Sequence, residues 1–521
     1  VTQTPTTVNS VILDPTRAAF GPRTRVSDLG RTHFIGIGGA GMSVLAEMLH
    51  GLGVEVTGSD RESSSKTKRL SELGITVFTG QDARHVAGAD TVVYSSAIKE
   101  DNPEIVAAAS QGISVVHRSD ILALLMSSKR AVTVAGAHGK TTTSSLLAHI
   151  LRVAGTGRLA DPSYAIGGSI QGPGGTVLDG GHAGEGDVLV AEADESDGSF
   201  MKYHPQIAVI TNAEADHLDH YGTCENYRHA FVRHAGNSTL RTVICVDDPS
   251  AMMVLNSLDE GIAARCIAYS TQEKDPSSAH DAGFVSIEQE GENAQSGEEH
   301  FTIHMPAGLG FGDRDLSLPV RLRIPGLHNA RNATAAIIAA SVLGVDPHAA
   351  VDAASSFLGA ERRFQVRGCE KKVTVVDDYA HHPTEIAALL DAARRRYPDS
   401  TIRVLFQPHL FSRTRFFARE FAEALAKADD VIVTGVFPAR EKSQDFPGVG
   451  AQTIVEAARG LAHDPKDGWI RAVEHMQVAA QMMVMRAHAG DVIFTVGAGD
   501  ITQMDEVLLH ALRAHREACE A

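Results

Sequence analysis

Between Ala131 and Ser145 the chain reads AVTVAGAHGKTTTSS, an apolar β-branched run that passes through two glycines into a lysine and a row of hydroxyls. These residue types suit phosphate. Gly136 and Gly139 allow a tight turn across Ala137 and His138 that aims backbone amides at an anion. Lys140 adds a mobile positive charge, and the Thr141 or Thr142 hydroxyl can hold Mg²⁺. The spacing predicts an ATP site on a shortened turn, since Val134 stands where the common motif has its first glycine. A second glycine turn lies in THFIGIGGAGMSVLAEML, residues 32 to 49. Gly36, Gly38 and Gly41 fit G-x-G-x-x-G, and Gly39, Met42 and Ser43 belong to the same turn and helix start. The next strand, VEVTGSD, ends on Asp60, and TVVYSSA delivers Ser95 and Ser96. A pyrophosphate on a helix N-terminus is the expected ligand there, and both NAD and a UDP-sugar fit.

Carboxylates and imidazoles gather just after other apolar runs. Val188 to Ala191 delivers Glu192, Asp194, Glu195 and Asp197; Ile207 to Ile210 delivers Asn212, Glu214, Asp216, His217 and Asp219. Beside Lys140 and Thr141 such groups suit a magnesium nucleotide, because phosphoryl transfer needs charge neutralisation more than covalent help. A solvated acidic loop is the alternative for Glu192. In HNARN, residues 328 to 332, Asn329 fits an adenine edge and a helix N-cap equally well. Glu361, Arg362, Arg363 and Phe364 form a charged link, from which an arginine can close on phosphate or simply sit exposed at a hinge.

Positioning these groups requires alternating strands and helices, with ligands bound at the carboxyl ends of the strands. The pattern restarts twice, near Ala131 and near Phe364, so the expected fold class is α/β with three domains: an N-terminal Rossmann-like domain, a central P-loop-type ATPase domain and a C-terminal Rossmann-like domain. The expected boundaries are a loose tail over 1–30, then 31–128, 129–362 and 363–521, with a surface loop or hairpin inserted at 281–300. A length of 521 residues is too great for one core. The net charge of −17 argues against a nucleic-acid partner. Five cysteines without C-x-x-C spacing indicate neither a disulfide framework nor a thiolate zinc site, which points to a reducing cytoplasm. No apolar run reaches membrane-spanning length, and the expected state is a monomer or homodimer.

The segments GIGGAGMS, GAHGKTTT, EADESDGSF, NAEADHLDHY, LHNARNA, RRF, DDYAHHP and FQPHLFSRTR occur in an order that resembles the Mur ligase family across nearly the whole chain. The resemblance implies an ATP-dependent ligase that forms an acyl phosphate and then an amide. Its implied substrates are UDP-N-acetylmuramate, L-alanine and ATP, its metal Mg²⁺, and its process the first peptide-adding step of cytoplasmic peptidoglycan precursor synthesis. By the same likeness the first domain holds the UDP part, with Gly38, Gly39, Gly41, Met42, Ser43, Asp60, Ser95 and Ser96 on that side. Lys140 corresponds to the phosphate lysine, and Thr141, Glu192 and His217 to the magnesium-associated residues, with Lys140, Glu192 and His217 catalytic. Gly136 to Thr142 cradle ATP, Asn329 corresponds to the adenine contact, Arg363 to the phosphate-facing linker arginine and Asp378 to the ribose-side acid. His381, His382, Arg413 and Arg415 fall on the amino-acid side. The stretch ENYRHAFVRHA has no lysine where ligases of later peptide residues usually carry one, which favours alanine addition over a later step, and the Glu-Ser-Asp-Gly-Ser-Phe run favours it over tripeptide ligation. A nicotinamide oxidoreductase has no need of Gly139-Lys140-Thr141; a nucleotide sensor that joins nothing is the other rival.

Overall fold

The computed structural model describes residues 13–21, 23–173, 176–272, 282–293, 297–439, 441–461 and 468–515. Parts of the expected tail (1–12 and 22) and of the insertion (281 and 294–296) lie outside the described residues. By contact density the chain forms two compact units. One comprises 1–289, 302–320 and 331–356, the other 290–301, 321–330 and 357–521.

The first unit contains two large sheets and a two-stranded ribbon of Ile170–Gln171 and Val177–Leu178. In the N-terminal one, Thr32–Ile35 lies between Val56–Asp60 and Thr91–Tyr94, with Thr76–Thr79 and Ser114–His117 at the edges, all parallel. Strand order therefore reverses beside Thr32–Ile35, and the glycine turn opens at that switch point. In the second sheet, Arg130–Ala135 is central, paired in parallel with Val188–Glu192 on one side and Ile207–Ile210 on the other. Arg241–Cys245 and Cys266–Ser270 extend it, also in parallel. These strands are near-continuous apolar runs because helices cover both faces. One buried core runs through both sheets, from Phe34 and Met42 to Leu189, Phe200 and Ala268. That shared core explains why two sheets, each with its own glycine turn, count as one compact body.

The second unit is built on a six-stranded sheet ordered Gln365–Glu370, Val373–Asp378, Val492–Val496, Ile402–Phe406, Asp430–Val433, Ile470–Ala472. The edge strand Gln365–Glu370 is antiparallel and the rest are parallel. Separate apolar clusters cover the two faces, one around Leu389, Phe406 and Phe421, the other around Met483, Ile493 and Leu508. The insertion read as a loop or hairpin supplies the strands Gly283–Asn293 and Glu298–Met305. No helix among the described residues is long and apolar enough to cross a membrane.

Candidate active site

The strand Arg130–Ala135 ends at Gly136, and helix Lys140–Ala154 starts after Gly139, which sits at φ +84°. A side chain at Gly139 would be strained there, and its Cβ would come 2.6 Å from Asn332 Oδ1. Two side chains from the neighbouring strand end brace the turn: Asn212 accepts from the His138 amide (3.2 Å) and donates to its carbonyl (2.9 Å), and Thr211 donates to the same carbonyl (2.5 Å). The Lys140 ammonium donates to Gly136 O (2.5 Å) and pairs with Glu195 Oε1 (2.9 Å). Burial pushes Lys140 towards neutrality, but Glu195, Asp194 and Glu192 outweigh it and keep the ammonium charged.

Glu195 is 1 % exposed and also lies 3.6 Å from His217 Nε2. Its second oxygen, Oε2, is buried without a hydrogen-bond partner among the described residues. Such an oxygen is costly unless a cation or donor reaches it, so the donor set fits a divalent ion. Glu192 Oε1 accepts from the Gly167 amide (2.9 Å), and a Cβ on Gly168 would lie 3.0 Å from Thr141 Cγ2. The three residues expected at the metal are thus tied to one patch: Thr141 and Glu192 through the Gly167-Gly168 loop, His217 through Glu195. Burial lowers the His217 pKa, yet Glu195 and Asp216 together raise it above the ordinary value. The Asp219 side chain lies outside the described residues.

On the N-terminal sheet, Asp60 accepts from the Gly38 amide (2.8 Å), and Gly39 caps helix Ala40–Gly51 with extended backbone. Met42 and Ser43 are buried in its first turn. Ser96 donates to Asp197 (2.5 Å) and lies 3.0 Å from His117 Nε2, while Ser95 O closes the turn to Ile98. Arg118 donates to Asp194 Oδ2 (2.6 Å) and would meet a Cβ on Gly41 at 2.9 Å. A crevice lined by Ser43, Lys66, Arg69, Gly167, Gly168 and Asp179 leads from this helix to the loop that touches Glu192 and Thr141. The crevice thus joins the helix that follows the glycine turn to the loop beside Glu192 and Thr141.

In the second unit, Asp378 accepts from the Phe364 (2.7 Å) and Ala380 (2.8 Å) amides, and burial pushes its carboxyl up to about 6. Asn329 is not an N-cap: it lies within helix Leu327–Leu343, and its amide nitrogen donates to Pro325 O (2.7 Å). Arg363 lies 3.7 Å from Glu385 and 5.4 Å from the Tyr379 ring. His381 Nδ1 faces Tyr379 O (3.1 Å), and burial lowers its pKa to about 3; His382 caps helix Pro383–Arg396. Arg413 is buried in helix Phe411–Phe416, and Arg415 is exposed over the Phe446 ring (5.6 Å).

Comparison with known proteins accounts for this arrangement. Residues 31–130 match the model of the Mur ligase family catalytic domain, 134–340 the Mur ligase middle domain and 362–499 the Mur ligase glutamate ligase domain. The chain belongs to the Mur ligase family. It is 69 % identical over 512 residues to a UDP-N-acetylmuramate--L-alanine ligase of Bifidobacterium adolescentis, covering 98 % of each chain. It is 44 % identical to the enzyme of the same name from Renibacterium salmoninarum, covering 94 % of this chain and 97 % of that one. Among solved structures it resembles the UDP-N-acetylmuramate-alanine ligase of Thermotoga maritima, with a TM-score of 0.71, 29 % identity, and coverage of 93 % of this chain and 99 % of that one.

For this Mur ligase, reasoning from the sequence placed Glu195 in the acidic cluster but gave it no role, although it holds Lys140. The available signal was its place at a strand end next to the phosphate turn. Nothing in the sequence singles out Arg118, because a single arginine opening a helix carries no motif. Asn212 stands at a strand end and Asn332 in HNARN, but nothing local shows that either reaches the phosphate turn, since each does so only through strand or helix packing.

Proposed function

We propose that this Mur ligase joins L-alanine to UDP-N-acetylmuramate at the expense of ATP. The observation that carries the reading is Lys140: it is held charged between Gly136 O and Glu195, at the start of a phosphate-cradling helix that follows a strand flanked by both acid-bearing strands. Relatives at 69 % and 44 % identity are UDP-N-acetylmuramate--L-alanine ligases, which supports the choice of substrates. Residues 31–128 serve the UDP part, 129–362 the ATP and 363–521 the amino acid, in the cytoplasm, after a tail over 1–30.

A carboxylate resists an amine, so it must first be activated. The lactyl carboxylate oxygen attacks the γ-phosphorus of ATP, ADP leaves, and an acyl phosphate forms. The alanine amine then attacks the acyl carbon, inorganic phosphate leaves, and the amine gives up a proton. Lys140 and the amides of the turn stabilise charge on the transferring phosphoryl group. Thr141, Glu192 and His217, with the second oxygen of Glu195, would hold Mg²⁺, which supplies further charge neutralisation. Arg363 serves the phosphates, Asp378 the ribose and Asn329 the adenine. Gly38, Gly39, Gly41, Met42, Ser43, Asp60, Ser95 and Ser96 serve the UDP part. Arg413 and Arg415 orient the alanine carboxylate. With a pKa near 3, His381 is suited to accept a hydrogen bond rather than to retain the amine proton.

The test is incubation with UDP-N-acetylmuramate, ATP, Mg²⁺ and single amino acids, with product mass and ADP as readouts. A product heavier by one alanine residue is expected. ADP release without an amide product, or absorption changes with a nicotinamide cofactor, would overturn the reading.

A further inference from the structure

The link into the second unit contains a conformational anomaly. Arg362 (φ +56°) and Phe364 (φ +47°) both adopt left-handed backbone, and neither is glycine. Such backbone is unfavourable for a residue with a Cβ and persists only where the surroundings impose it. Two such residues flank one normal residue, and that residue is Arg363.

The surroundings do impose it. Each nitrogen of the Arg362 guanidinium makes one hydrogen bond: Nε donates to Asp377 Oδ2 (3.1 Å), Nη2 to Gly497 O (2.5 Å) and Nη1 to Gly499 O (3.3 Å). Its plane also lies 4.9 Å from the Tyr379 ring centroid. The backbone is held as well, with Arg362 N donating to Gln365 Oε1 (3.0 Å) and Arg362 O accepting from Tyr379 N (2.7 Å). Asp377 is wholly buried and takes a further bond from Thr502 (2.7 Å), so the anchor is itself rigid. On the other flank, Phe364 N donates to Asp378, and the Phe364 ring packs edge-on against Phe494 (5.4 Å). All three guanidinium nitrogens thus donate to protein acceptors, which fixes the direction of the fork.

We infer that Arg362 is a positioning residue: by clamping the strained corner 362–364 onto Asp377 and the Gly497–Gly499 carbonyls, it sets Arg363 and Asp378 jointly for the nucleotide. The inference rests on the proposed roles of Arg363 and Asp378. It assigns to the neighbouring arginine a task distinct from theirs. Without the clamp the corner that carries both groups is no longer fixed to the sheet, so the two groups shift together.

The test is a double-mutant cycle read by calorimetric binding of a non-hydrolysable ATP analogue with Mg²⁺. Arg362→Gly removes the clamp while tolerating positive φ, so backbone strain is not the variable. It should weaken analogue binding about tenfold and raise the KM for ATP, with the KM for L-alanine little changed. Arg363→Ala should weaken binding similarly, and adding Arg362→Gly to it should cost little more. Equal losses for Arg362→Gly with and without Arg363, or no loss at all, would overturn the inference. If Arg362→Gly does not fold, Arg362→Lys keeps the charge beside Asp377 but lacks the fork; wild-type analogue affinity in it would equally overturn the clamp. Wild-type affinity and turnover in Arg363→Ala would instead sink the role of Arg363 itself, whatever Arg362 does.

Discussion

Replacing Lys140 by methionine separates the two jobs of this ammonium. Methionine keeps the length and the apolar stem but removes the charge, leaving Glu195, 1 % exposed, without its 2.9 Å partner. Removing one member of a buried pair costs about 3–5 kcal/mol. Lys140 is 18 % exposed, so water relieves part of this and the low end, about 3 kcal/mol, is expected. Hydrogen exchange of the amides in helix Lys140–Ala154 reads this directly, and about 3 kcal/mol corresponds to roughly a hundredfold faster opening. Turnover, followed as ADP formed from ATP with UDP-N-acetylmuramate and L-alanine, should fall by at least about 10²–10³, the usual loss when one preorganised charge is removed from a transition state. The second half of the experiment adds Glu195→Gln. Two neutral partners of similar shape no longer strand a charge, so protection should return to within about 1 kcal/mol of wild type while turnover stays low. The reasoning fails if Lys140→Met retains turnover within about tenfold of wild type, or if the double variant exchanges as fast as the single one.

Other perturbations follow from the same geometry. Arg413→Ala should raise the KM for alanine far more than that for ATP in steady-state kinetics; equal changes would remove Arg413 from the carboxylate. Gly139→Ala forces a side chain into φ +84° and towards Asn332; it should lower the melting temperature and weaken binding of an ATP analogue by at least about tenfold, an effect of more than about 1 kcal/mol. Asp505 is buried beside Asp377, and burial pushes its carboxyl up to about 7 from the ordinary 3.8. The folded state thus binds more protons than the unfolded one between these values, and this group's contribution to stability declines as pH rises from 3.8 to about 7. Asp505→Asn should remove that decline, so the melting temperature of the variant minus that of wild type should grow between pH 5 and pH 8; a constant difference would refute it.

What the sequence by itself determined is local. A glycine turn between an apolar strand and a helix is set by backbone torsions a few residues apart, so GAHGKTTT and GIGGAGMS announced two anion sites, and alternation of strands and helices announced the α/β class. The order of motifs then pointed to the Mur ligase family, which the matches over three segments bear out. The tertiary structure alone decided which partners those sites use. Lys140 meets Glu195 because Val188–Glu192 and Ile207–Ile210 flank Arg130–Ala135, an order that uniformly apolar strands do not encode. It decided that Asn329 bonds back to Pro325 instead of capping its helix, and that Arg362 is not an exposed hinge charge but a half-buried fork on the buried Asp377. A turn is specified by the residues in it, whereas a buried charge is specified by whatever distant segment packs closely enough to keep water from it.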